Sequence, residues 1–188
     1  MSESDHAIDL AYENFLVKPS AANYLNVRSL LLANPRWIRR DEELVQLGRL
    51  SRKSDLVGMM ELAERMIPAW IVCPRFHFLL ATTAGSVGDD ETAELERFQF
   101  ESCLQGILAS GDGSRARPYF VVHTSDIRDA MRALGVTAVG QEVLARGDSL
   151  CDAMHCLDGA KLYFVRSETI MAEWSELQEA QQSLFLWN

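Results

Sequence analysis

Ser110-Gly111-Asp112-Gly113-Ser114, with Pro118-Tyr119-Phe120-Val121-Val122-His123 just beyond it, is where the chain changes its period. Upstream, apolar residues recur every three or four positions, as they do along one face of a helix. Downstream they are aromatic and β-branched, as in a strand. Two glycines within five residues stop a helix and permit a turn. The class expected from this junction is α+β. Residues 1–110 form an antiparallel helical stack, and residues 111–188 form a small antiparallel sheet with one inserted helix and a C-terminal covering helix, packed as one compact unit with the first region.

Working back from the junction, Leu95, Phe100, Cys103, Leu104 and Ile107 lie at helical spacing, and Gly88-Asp89-Asp90 supplies the cap that starts their helix. Before it, Phe76, Leu79, Leu80 and Thr83 make a stripe that follows a break between Pro68 and Pro74. A helix from about Asp55 turns Leu56, Met59, Met60 and Ala63 inward, and another runs from about Asp41 to about Arg52. Asn34-Pro35 ends a helix whose inner residues read as Leu25, Arg28 and Leu32, since the residue before a proline resists the α region. Ile8, Tyr12, Phe15 and Leu16 form the first stripe.

Working forward, Thr124-Ser125-Asp126 is a helix start, and a short helix from Ile127 to Leu134 ends at Gly135. Strands are expected over about Thr137 to Ala145, Ser149 to Leu157 and Lys161 to Val165, with turns at Arg146-Gly147-Asp148 and Asp158-Gly159. The expected topology is an antiparallel meander with the helix inserted after its first strand. A closing helix from about Glu168, with Ile170, Trp174, Leu177 and Leu184 on one face, should cover the sheet. Leu184-Phe185-Leu186-Trp187 packs back onto the body or makes a dimer or partner contact.

The 188 residues are 48% hydrophobic and 24% charged, proportions of an ordinary core-forming chain. A net charge of -9 repels a phosphate backbone, so nucleic acid is not an expected partner. Arg36, Arg39, Arg40, Arg49, Arg52 and Lys53 are interrupted by Asp41, Glu42 and Glu43, and read first as a solvated helix face, with an anion-binding patch as the alternative. The acidic start lacks a secretory pattern, and no apolar run approaches the roughly 20 residues that span a bilayer, so the expected location is cytoplasmic and away from membranes. Cys73 and Cys103 sit in apolar contexts as small hydrophobes, and Cys151 and Cys156 lack the spacing of redox or zinc motifs. No metal or other cofactor is expected.

Chemistry has two candidate locations. Successive N–H groups in the Ser110, Asp112, Gly113 and Ser114 loop suit an anion, although the same residues serve simply to end a helix and enter a strand. Strand alternation places Cys151 and His155 on one face, where His123 could join them, with Asp112 or Asp152 as an orienting carboxylate. Packing and hydrogen bonding are the first explanation of each of these residues, and chemistry is the alternative. Paired acids such as Asp89 with Asp90 fall at helix starts and complement the dipole.

The run from Leu79-Leu80-Ala81 through Gly88-Asp89, Ala93 and Leu104 resembles one helix-turn-helix of tetratricopeptide-like repeats, which implies a helical scaffold. The run Ile107 to Ser114 with Pro118-Tyr119-Phe120-Val121-Val122, followed by Gln141, Leu144, Gly147 and Asp152, resembles a bacterial family known only as a domain of unknown function. Its members place a Ser-Gly-Asp-Gly turn between helices and a Pro-Tyr-x-Val strand. The resemblance spans roughly Pro74 to Val165 and implies helices followed by a sheet, with no activity attached. Val165-Arg166 departs from an acidic residue that the family pattern carries after the last strand's aromatic. The expected function is a non-enzymatic protein-interaction or scaffold domain, with a protein partner or a homodimer. The alternative is a small hydrolase or transferase, or a ligand sensor, at the Ser110 to Ser114 loop.

Overall fold

The computed structural model describes residues 3–34, 41–146 and 149–166. In chain order these form α1 (Glu3–Val17), α2 (Ala21–Ala33), α3 (Asp41–Ser51), α4 (Leu56–Met66), α5 (Pro74–Val87), α6 (Asp90–Ala109), β1 (Tyr119–Phe120), α7 (Thr124–Ala133), β2 (Ala138–Arg146), β3 (Ser149–Cys156) and β4 (Lys161–Val165). The α+β class and the order of helices before sheet agree with the sequence. The expected closing helix, the apolar stretch at 184–187, Arg36, Arg39 and Arg40, and Gly147-Asp148 of one expected turn lie outside the described residues. No helix among the described residues is long and apolar enough to cross a membrane.

Short polar side chains set the helix boundaries. Ser20, Asp55 and Asp89 each accept the backbone N–H three residues on, satisfying a donor that the first turn would leave unbonded. Gly88 ends α5 at φ 83, so Gly88-Asp89 turns the chain directly from α5 into α6.

The sheet departs from expectation. Its order is β1-β4-β3-β2, and while β2, β3 and β4 form the antiparallel meander, β1 lies parallel to β4 with Tyr119 opposite Phe164 and Phe120 opposite Val165. Asp158-Gly159 dictates its own hairpin, with Gly159 at φ 85, but no local signal states which edge β1 joins. The chain leaves β1, passes through α7 and enters the far edge, and the meander then returns toward β1; a parallel neighbour needs a long crossover of this kind. β1 is also shorter than the Pro118 to His123 run, because His123 already serves as the N-cap of α7.

Two helices are phased differently from their apolar pattern. The buried face of α2 is Tyr24, Val27 and Leu31, one position before the expected Leu25, Arg28 and Leu32. The tyrosine hydroxyl donates to the Phe120 carbonyl and the Arg28 Nε donates to the Val121 carbonyl, so the polar tips of α2 bond the sheet while their stems pack. In α4, Met59 and Ala63 are buried as expected but Met60 is 41% exposed, and Leu95 of α6 is also exposed.

The buried residues fall into two clusters. One joins α1, α2 and α6 to the sheet and α7 through Phe15, Tyr24, Ile107, Tyr119, Ile127 and Phe164. The other is made by α3, α4 and α5 around Leu47, Met59, Met66, Trp70 and Phe76. Where α6 ends, Gly111 brings the chain against the following segment so closely that a Cβ there would lie 2.2 Å from the Pro118 carbonyl oxygen. Relieving that overlap requires backbone movement. Gly111→Ala is therefore expected to lower unfolding stability by at least about 1–3 kcal/mol, read from urea denaturation, whereas Gly88→Ala meets no atom and loses stability through its positive φ alone.

Candidate functional site

The junction loop is bonded to itself and to the sheet. The Ser110 hydroxyl donates to the Ile107 carbonyl and accepts the Phe120 N–H, tying the last turn of α6 to β1. The Asp112 N–H donates to the Arg117 carbonyl, and the Asp112 carboxylate accepts the Ser114 N–H and pairs with the Arg117 guanidinium. The hydrogen bonds from Ser114, followed by those from Arg117, hold this exposed carboxyl down at about 2. The Ser114 hydroxyl accepts the Arg117 N–H. Gly113, at φ 74, accepts the Tyr163 N–H on its carbonyl and leaves no space between Tyr119 and Leu162 for a side chain. These bonds support the architectural reading of the loop, in which it fastens α6 to β1 and β4.

The other residues singled out from the sequence lie elsewhere. His123 is buried, its ring stacked on Trp70 with centroids 4.2 Å apart, and its Nε2 donates to the Ala69 carbonyl. Asp152 is fully buried on β3, where it pairs with Arg166 and accepts the Gln141 amide. The half-exposed His155 has its Nε2 3.6 Å from the Glu142 carboxylate. The pleat sends Asp152 and Met154 to one face of the sheet and Cys151 and His155 to the other. Asp152 therefore does not orient His155 or Cys151.

The structure instead groups chemically capable residues that the sequence pattern did not single out together. Cys73 Sγ lies 3.5 Å from the Ser125 hydroxyl at the start of α7, and the Asp126 carboxylate accepts the N–H groups of Val122 and His123. Burial pushes the Cys73 thiol well up, which keeps it protonated and removes the thiolate on which cysteine reactivity depends. Burial also raises the Asp126 carboxyl to about 7, against the two N–H groups that favour its charged form. A second set links Tyr12, His77 and Glu96: His77 Nδ1 lies 2.7 Å from a Glu96 carboxyl oxygen, and Nε2 donates to the Ile71 carbonyl. A lone histidine in an apolar stripe gives no sign of partners from two other helices. Among the described residues no group of three or more His, Cys, Asp or Glu side chains is arranged to hold a metal ion.

The open space lies between the two cores. A cleft of about 1040 Å³ is bounded by α3, α5, α7 and the start of β2. Leu44, Leu79 and Trp70 reach it from the second cluster, and Ile127, Met131 and Met154 from the first. Among the described residues its charged lining is Arg52, Arg75, Arg128 and Arg132, with no aspartate or glutamate. Arg75 is bound by both carboxylate oxygens of the buried Asp129. Of the residues singled out from the sequence as a site, His123 lines the cleft; Ser110, Asp112, Gly113, Ser114, Asp152 and His155 do not.

No family model, curated protein or solved structure matches the chain. The resemblance carried by the Ile107 to Val122 run remains a likeness of sequence, and function is argued from geometry.

Asp126 makes stability depend on pH. A carboxyl raised in the folded state binds its proton more tightly there, so its stabilisation is full below the unfolded value near 4 and is lost as pH rises through about 7. Asp126→Asn keeps an oxygen for the two N–H groups and does not titrate. Unfolding free energies from urea denaturation across this window should fall with rising pH in the wild type by up to about 1.4 kcal/mol per pH unit more than in the variant.

Proposed function

We propose that this chain is a non-enzymatic interaction domain and that the cleft between its two cores is the contact site. The observation that carries this reading is the cleft itself, an open recess of about 1040 Å³ with an apolar floor. Covering such a floor removes apolar surface from water, at about 25 cal/mol per Å². The chemically capable groups add to the case, since the junction loop, Asp152 and Asp126 are engaged in bonds that hold the fold and Cys73 is a protonated thiol.

The test uses Nile red, a neutral apolar dye, titrated by fluorescence into the wild type and Gly48→Trp. Gly48 lines the cleft, and a Cβ there would meet nothing closer than 3.9 Å, with the cleft-lining Arg52 and Leu79 as its nearest neighbours, so a larger side chain is directed toward the recess. Saturable one-to-one binding that weakens at least about tenfold in the variant, at unchanged melting temperature, is expected. Wild-type protein that shows no saturable binding removes the reading.

A protein partner or second copy has separate support on α6, where Leu95 and Phe98, one turn apart, are 55% and 48% exposed. Sedimentation velocity at rising concentration should then show association that Leu95→Glu with Phe98→Glu abolishes.

A further inference from the structure

We propose that the cleft is an anion site and that its occupant is a small organic acid. A carboxylate or phosphate group lies against Arg128 and Arg132, and an apolar body lies on Ile127, Met131 and Leu79. The inference rests on the cleft being the contact site, and it assigns the chemistry of what binds there.

Charge is the first argument. The chain carries 27 acidic and 18 basic residues, yet among the described residues the charged side chains lining its cleft are all arginines. Arg75 takes both oxygens of Asp129, whose charge also acts on Arg128 and Arg132, so one buried carboxylate stands against three arginines, and Arg52 adds a fourth positive charge to the space. An anion is the complement of that potential, and a guanidinium fork suits the paired oxygens of a carboxylate or phosphate.

Placement is the second argument. Arg128 and Arg132 are four residues apart on α7, so they stand side by side on one face. Two like charges at that spacing oppose the helix, and Asp129, whose charge acts on both, has its oxygens already bonded by Arg75. Arg52 approaches from the end of α3, across the recess. Thr124 and Ser125 also line the space, which adds the positive end of the α7 dipole.

Size and surface define the rest of the ligand. A recess of about 1040 Å³ with a mainly apolar lining matches sites that enclose small organic molecules. Trp70 is 1% exposed and its face is already taken by His123, so among the described residues the cleft offers no free aromatic platform for a nucleobase. The body is better matched by an aliphatic chain or a simple ring.

The test compares probes that share a ten-carbon chain and differ in the head: decanoate, decyl phosphate, decanol and decyltrimethylammonium. Each is titrated calorimetrically below its micellar concentration into the intact protein. Decanoate, decyl phosphate or both should bind at least about tenfold more tightly than decanol, and the stronger of the two identifies the head group. Added salt should weaken the acids and leave decanol unchanged. Arg128→Gln with Arg132→Gln should reduce the acids to the affinity of decanol, with decanol itself unaffected; Arg52→Gln supplies a second variant, in the turn after α3, if the double variant unfolds. Equal binding of decanol and the acids overturns the anion assignment while leaving the cleft as a contact site. If Nile red and all four probes fail to bind, both readings fall. Displacement of Nile red by a short acidic amphipathic peptide, where decanoate displaces none, overturns the small-molecule assignment in favour of a protein partner.

Discussion

The burial of Phe15, Tyr24 and Ile107 against Tyr119 and Phe164 is the constraint from which the remaining geometry follows. A four-stranded sheet with a two-residue edge strand cannot stand by itself, and it is held because α1, α2 and α6 supply the surface that its inner face needs. The polar bonds then fix its orientation. Tyr24 and Arg28 reach the carbonyls of Phe120 and Val121, and Ser110 reaches the Phe120 N–H, so β1 is bonded from α2 and α6 before it pairs with β4. With this layer committed to the sheet, α3, α4 and α5 bury their apolar faces on one another, and the seam between the two groups opens as the cleft.

The sequence made the order of elements legible wherever a local signal stated a boundary. Gly88-Asp89 and Asp158-Gly159 act within a few residues of themselves, and their turns form as expected. What it could not convey was long-range pairing. The parallel contact of β1 with β4 depends on a crossover through α7 and on the packing beneath it, neither of which is encoded in the alternation of Tyr119 to Val122. The α2 face was misplaced because Leu25 and Leu32 are more apolar than Tyr24, whereas the fold uses the tyrosine's ring for packing and its hydroxyl for a bond that exists only once the sheet is present.

The candidate site was less legible for a related reason. Glycines and acids in the junction attracted a functional reading from composition, and the same side chains prove to satisfy the backbone at a crowded turn. The arginines of the cleft are distributed over α5, α7 and the turn after α3, and no spacing rule connects Arg52 to Arg128. Arg166 shows the converse. It follows the last strand where the resembled pattern carries an acid, and here it neutralises Asp152, a carboxylate buried in the sheet that would otherwise lack a counter-charge.

The segment from Ala69 to Cys73 belongs to both cores, with Ile71 and Val72 packed into one and Ala69, Trp70 and Cys73 into the other. The two cores are joined through this segment and along the packing of α5 on α6, while α3 and α4 pack chiefly on each other and on α5, so amide exchange in α3 and α4 can proceed by opening their own core while the sheet remains closed. Whatever is held between the cores touches both, so its binding free energy adds to the work of separating them. Occupancy would therefore be read as slowed exchange at Leu47 and Met59, which are buried within the helical core.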